Sequence, residues 1–227
     1  MDSESARFDE AYIPDLIPDS DLAYFEKAGF GARIGWGDAV AIVAVDFTRQ
    51  FSEDGWPLGR SDTADPAIEA TAGLLAAARE HGVPRIHVKG LERRDRLEGT
   101  ETTQLSKSTA PFDPDEGNEI RPAVAPGEGD IVLRKPGRSA FFGTRLDALL
   151  RRYGIDTLIV TGLVTSGCIR GTVVDGFERG YRVIVPPECV ADRGTVSHEV
   201  TLFDLDMKYA DVTPVSEVED RLAAYAP

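Results

Sequence analysis

The sequence predicts an α/β fold, a three-layer α-β-α sandwich with a mostly parallel six-stranded sheet. Three observations predict it. Short runs rich in Val, Ile and Ala have strand length and almost no polar alternation, the mark of strands buried on both faces. Helix-length apolar stripes alternate with those runs, the order that builds a parallel sheet covered by helices. The chain has 227 residues, 42% of them hydrophobic, which suits one domain with a packed core.

Taken in order, residues 1–38 are polar, contain Pro, and end in a Gly-rich stretch (Gly29, Gly31, Gly35, Gly37). They read as an N-terminal arm or short helices lying over a single domain at 39–227. The first strand is 39–47, AVAIVAVDF, with Asp46 near its end. Asp65-Pro66 has the form of an N-cap followed by Pro in the first helical position. That helix runs to about His81, and Gly82 stops it. A second strand follows at 85–89. Residues 90–129 are charged and rich in Pro and Gly; a loop that long in a compact domain is expected to be functional or an interface element. The third strand, 130–135, ends in Lys135.

Leu146, Leu149, Leu150 and Tyr153 then recur at i, i+3, i+4 and i+7, so they predict a helix, ended by Gly154. The fourth strand is 157–162. A tight segment, LVTSGC, opens a helix carrying Ile169, Thr172, Val173, Gly176 and Phe177 on one face, ended by Gly180. The fifth strand is 182–186. Val196, Val200, Phe203 and Met207 stripe the next helix, 210–213 forms the sixth strand, and Ser216 is placed to cap a last helix.

The charge balance excludes some functions. There are 39 Asp and Glu against 25 Lys and Arg, a formal net charge of −14. Nucleic-acid binding needs a basic surface, and none is visible. Two cysteines do not make a disulfide scaffold. Met1 to Ser5 show no charged n-region followed by an apolar h-region, and no run reaches the roughly 20 apolar residues of a membrane helix. A cytoplasmic protein with reduced thiols and no membrane partner is expected.

In open parallel sheets, ligands bind beyond the carboxyl ends of the strands. Three reactive side chains fall there: Asp46 after the first strand, Lys135 after the third and Cys168 just past the fourth. Cys168 also opens a helix, where unpaired N–H groups favour a thiolate, and a lysine nearby would lower its pKa further. A carboxylate beside the sulfur would accept its proton, so the set reads as a nucleophile with a base and a cation. The plain alternative for each is structural: a buried inert cysteine and two solvated rim charges.

The local sequence around these residues resembles the isochorismatase-like cysteine hydrolases. The matching stretches are VDF at 45–47, Lys135 with SAFFGT at 139–144, VTGLVTSGCIRGTVVDGFERGY at 160–181, ADR at 191–193 and LFDLDMKYADV at 202–212. AGFGARIGWG at 28–37 resembles the branch that holds N-carbamoylsarcosine and maleamate amidohydrolases. The resemblance implies a Rossmann-type sandwich and a catalytic triad of Asp46, Lys135 and Cys168. It implies a cis Leu163–Val164 peptide, with the Val164 and Cys168 N–H groups as an oxyanion hole. It further implies attack of Cys168 on an amide or ureido carbonyl, release of ammonia, and hydrolysis of a thioester with Asp46 carrying the protons. Lys135 is followed by Pro136-Gly137-Arg138, where relatives often carry bulkier residues, which alters the expected pocket wall.

By the same resemblance, Arg193 grips a substrate carboxylate, for which a guanidinium fork is suited; a surface ion pair is the alternative. Phe51, Trp56, Phe142 and Thr165 complete the substrate-binding candidates, with core packing an equal reading for Phe142. The expected partner is a small carboxylate-bearing amide or ureido compound. N-carbamoylsarcosine-like, maleamate-like and biuret-type substrates stay open, as do, further off, an isochorismatase and a non-catalytic scaffold. Some relatives carry an Asp-His-His metal site, but His81, His87 and His198 lack ligand spacing, so no metal and no cofactor are expected. Cys189 reads as a buried bystander. A homodimer or homotetramer is implied by the family.

Overall fold

The computed structural model describes residues 11–91, 110, 111 and 113–225. The sheet has strands β1 (Val40–Val45), β2 (Arg85–Gly90), β3 (Ile131–Lys135), β4 (Thr157–Leu163), β5 (Arg182–Val185), β6 (Val190–Ala191) and β7 (Asp211–Val212). Their order is β3-β2-β1-β4-β5-β7, with β6 pairing β4, and every named pair is parallel. Seven strands replace the expected six: β6 is two residues long, too short to show a hydrophobic pattern.

The chain builds β1, β2 and β3 outward in one direction and then returns to place β4 on the other side of β1. The sheet therefore switches direction between β1 and β4, where a crevice opens at the strand ends. β1 supplies both faces of the core. Ala41, Val43 and Val45 pack with Leu158, Val160, Val173, Leu202 and Leu205 on one face; Val40, Ile42 and Ala44 pack with Leu74, Leu75, Ala78, Val218 and Leu222 on the other. Helices α4 (Leu146–Arg152), α5 (Arg170–Glu178) and α6 (Thr195–Lys208) contribute to the first face, and α3 (Ser61–Glu80) and α7 (Val215–Ala223) to the second. Complete burial of all six β1 residues explains its unbroken apolar run.

Two helix starts differ from expectation for one reason. α3 begins at Ser61, and Pro66 lies inside it, so Asp65 is not its cap. The Asp54 carboxylate, seven residues upstream, accepts the Ser61 N–H at 2.9 Å. Likewise α7 starts at Val215, whose N–H goes to Glu188 at 3.0 Å, and Ser216 lies in its first turn without capping it. Free helical N–H groups take any suitable acceptor, and these acceptors come from elsewhere in the fold.

Three stripe residues lie outside the core. Tyr153 follows α4 and is exposed, Phe177 is at the margin, and Val196 faces solvent; on α6 the fully buried residues are Leu202 and Leu205. The arm from residue 11 folds back on its own chain, with α1 (Asp19–Ala28) along the way. The Tyr12 N–H and the Arg33 guanidinium both bond to Asp206, and the Ile34 and Gly35 N–H groups bond to Asp211. Within 90–129, the described part from 113 folds against the four-residue helix α2 (Arg49–Ser52) and α3, joined to Thr48 by a bridge at Ile120; residues 92–109 and 112 lie outside the described residues. No helix among the described residues is long and apolar enough to cross a membrane.

Candidate active site

Asp46 leaves β1 with φ +53°, a left-handed conformation that Asp tolerates better than most residues. Such backbone persists where its surroundings enforce it, which is common at functional sites. Here the neighbour is Gly162 of β4. A β-carbon at Gly162 would lie 2.0 Å from the Val45 carbonyl oxygen, so only glycine lets β1 and β4 close at the switch. Asp46 is 1% exposed.

Lys135 ends β3, two strands away. Its ladder neighbour on β2 is Gly90, which puts no side chain between Lys135 and β1. The ammonium lies 2.7 Å from Asp46 Oδ2 and donates to Cys168 Sγ at 3.4 Å and to the Gly137 carbonyl at 2.9 Å. Cys168 sits in a π-helical turn, Thr165–Ile169, which follows β4 and runs into α5. One cation therefore joins the three side chains that the strand-end argument selects.

The electrostatics depart from expectation at the sulfur. Burial pushes the Cys168 thiol up to about 12. Lys135 pulls it down, but Asp46 pushes it up again. Loss of hydration outweighs the single cation, so the balance at Cys168 favours the thiol over the thiolate. For Lys135, burial disfavours the charge, yet Asp46 and the sulfur hold its pKa above the usual lysine value.

The Leu163–Val164 peptide is cis. Val164 lines a narrow cleft with Phe51, Arg60, Asp192 and Arg193, too tight in this structure to admit a water molecule. The Arg193 side chain is exposed, and among the described residues its guanidinium makes one hydrogen bond, to the Leu58 carbonyl at 3.2 Å. Phe51, Val164 and Arg193 are thus gathered beside the turn that carries Cys168. Trp56 instead lies over Gly117, where a β-carbon would come within 3.0 Å of its ring. Phe142 is half exposed and lines a separate open cavity of about 550 Å³ with Arg138, Gly167 and Arg170. Its neighbour Phe141 takes the core position. The Thr165 hydroxyl is held by His198 Nδ1 at 2.8 Å.

Sequence reasoning assigns no part in this turn to two residues behind it. Asp192 accepts three hydrogen bonds from it and from Arg193, and His198 reaches it from α6. The ADR stretch at 191–193 holds the signal for Asp192, next to its arginine. Cys189 is fully buried in the core on the α3 side, and burial pushes its thiol up to about 12 as well; both cysteines are free. His87 is buried against Asp130 at 3.3 Å. No group of three or more His, Cys, Asp or Glu among the described residues is arranged to hold a metal.

This architecture can be set beside known proteins. The sequence profile of the isochorismatase domain matches residues 40–217, most of the chain. The chain belongs to the isochorismatase family. This family member is 38% identical to the maleamate amidohydrolase of Pseudomonas putida over 196 residues, covering 85% of this chain and 91% of that one. It is 33% identical to the N-carbamoylsarcosine amidase of an Arthrobacter species over 207 residues, 88% and 77% of the two chains. A solved isochorismatase-family protein from Desulfovibrio vulgaris superposes with a TM-score of 0.73 at 32% identity, covering 82% of this chain and all of that one. The arm up to residue 39 lies outside the profile match. The family profile and these relatives support an amidohydrolase of the isochorismatase family.

Proposed function

We propose that this protein is a cysteine amidohydrolase that cleaves the terminal C–N bond of a small carboxylate-bearing amide or ureido compound and releases ammonia. One observation carries the mechanism: the Lys135 ammonium lies 2.7 Å from the Asp46 carboxylate and 3.4 Å from the Cys168 sulfur. With a thiol raised to about 12, proton transfer accompanies attack. Asp46 takes the S–H proton as the sulfur adds to the carbonyl carbon, and Lys135 compensates the charge that builds on sulfur. The carbonyl oxygen becomes an anion held by the Val164 and Cys168 N–H groups. Asp46 returns the proton to the nitrogen, the C–N bond breaks, and ammonia leaves a thioester. Asp46 then accepts a proton from the water that attacks the thioester, and the thiol is restored.

Arg193 supports the substrate class. Its guanidinium stands at the cleft that Val164 shares, with most of its donors unused by the described residues. A planar carboxylate would accept two of them side by side. Maleamate and N-carbamoylsarcosine both offer one carboxylate and one terminal C–N bond, and the names of the two relatives make them the first compounds to try.

The test is an ammonia-release screen over maleamate, N-carbamoyl amino acids, biuret and nicotinamide, with the Cys168→Ala variant alongside. Turnover of a carboxylate-bearing amide that vanishes in Cys168→Ala, with an unchanged melting curve, is the expected result. Turnover that persists without the sulfur would overturn the mechanism; activity on biuret or nicotinamide alone would overturn the carboxylate reading.

A further inference from the structure

β6 pairs with β4 at Gly162–Val190 and Leu163–Ala191, and the ladder stops there. The chain turns away at the cis peptide into the π-helical turn that carries Cys168. From this point a side chain continues what the ladder began. Asp192 is the next residue after β6 and is 7% exposed. Its Oδ2 accepts the Ser166 N–H at 2.7 Å and the Ser166 hydroxyl at 2.6 Å. Its Oδ1 accepts the Arg193 N–H at 2.7 Å. One oxygen thus serves the nucleophile turn and the other serves the residue beside it in the cleft. A second tie runs in parallel, from Thr165 to His198 at 2.8 Å.

The base of Arg193 is fixed from the far side too. Arg60 donates to the Arg193 carbonyl at 2.5 Å, and Arg193 Nη1 donates to Leu58. Asp192 is consequently the direct bridge between two elements whose separation matters. One bears the sulfur that attacks the carbonyl carbon, and the other bears the cation that would receive the carboxylate. We propose that Asp192 is a positioning residue that sets the distance between the nucleophile turn and Arg193, and thereby the spacing between amide and carboxylate that the enzyme accepts. This rests on the carboxylate reading of Arg193 above.

A carboxylate suits the task because three donors converge on it and each bond is charge-assisted. Asparagine has the same shape but one acceptor oxygen. Whichever way its amide is turned, an NH₂ group faces a donor. Asp192→Asn is expected to lower kcat/KM on maleamate about 10- to 100-fold, the size of a lost charged hydrogen bond. The loss should divide. On maleamate kcat falls and KM rises; on crotonamide, which has no carboxylate, only kcat falls. Ser166→Ala should lower kcat alone, and Arg193→Leu should raise KM for maleamate alone. Combined with either, Asp192→Asn should cost less than it does in the wild type, in kcat with Ser166→Ala and in KM with Arg193→Leu. Strict additivity in both cycles would overturn the proposal.

A readout independent of turnover separates this inference from the functional reading. Loosening the turn should raise the rate at which iodoacetamide alkylates Cys168 in the native protein, by about threefold or more, in Asp192→Asn and in Ser166→Ala. Ser166 is exposed, so that variant tests the turn even where Asp192→Asn does not fold. An unchanged alkylation rate in a folded Ser166→Ala variant sinks the proposal. Wild-type protein that hydrolyses neither maleamate nor N-carbamoylsarcosine would remove the functional reading, and the alkylation comparison would still decide whether Asp192 holds the turn.

Discussion

The Cys168 sulfur lies 3.4 Å from an ammonium, yet its thiol is pushed up, because burial disfavours a second anion and the Asp46 carboxylate shares that ammonium. The sign of the consequence follows directly. A thiol raised to about 12 is almost wholly protonated at neutral pH, so its thiolate fraction grows about tenfold per pH unit through the whole accessible range. Alkylation of Cys168 by iodoacetamide is expected to keep accelerating from pH 6 to pH 10 without a plateau. A plateau below pH 8 would mean a preformed thiolate. Cys189 has a thiol raised to a similar value but is fully buried, so access and not acidity separates the two. Mass spectrometry of the native protein should find the label on Cys168 well before Cys189. Asp46, Lys135 and Cys168 were legible as strand-end residues in sequence. The state of the sulfur was not, because it depends on how much water the folded chain removes from it.

At the level of elements, the unbroken apolar runs announced the central strands, since β1 and β4 are buried on both faces. What stayed illegible was made by contact at a distance: the caps that Asp54 and Glu188 provide, the two-residue β6, and the Asp192 bridge. None leaves a periodic trace. Gly162 is a residue whose importance only the packing of two strands reveals. Its φ of +134° disfavours any side chain, and a methyl group there would collide with the Val45 carbonyl oxygen. The collision falls between the two central strands, one residue before Asp46. Gly162→Ala is therefore expected to cost about 3 kcal/mol or more of unfolding free energy. It should also remove activity in whatever fraction still folds. Urea titration measures the first, and a midpoint within error of wild type would show that the strands can separate without penalty.

For the whole molecule, the charge of −14 sets a problem for an enzyme that would bind an anion. A globule of this length has a radius of gyration of about 17 Å. At 10 mM salt the Debye length of about 30 Å exceeds the radius of the molecule, so an approaching carboxylate feels much of the net repulsion; at 150 mM it is about 8 Å, and distant charges are screened. A contact between the substrate and Arg193 would be made at hydrogen-bond distance, well inside a Debye length, and salt weakens it much less than the repulsion from distant charges. The two effects differ in range, so salt should favour the anionic substrate. Raising NaCl from 10 to 150 mM is expected to increase kcat/KM for maleamate by about two- to threefold, through KM, while crotonamide turnover stays flat. Arg193→Leu should keep the salt-dependent increase but start from a weaker affinity, because the repulsion belongs to the whole surface and the attraction to one guanidinium. A kcat/KM for maleamate that falls as salt rises would show that local positive charge governs the approach as well as the bound state. The cleft would then act as a focused cationic funnel within an acidic protein.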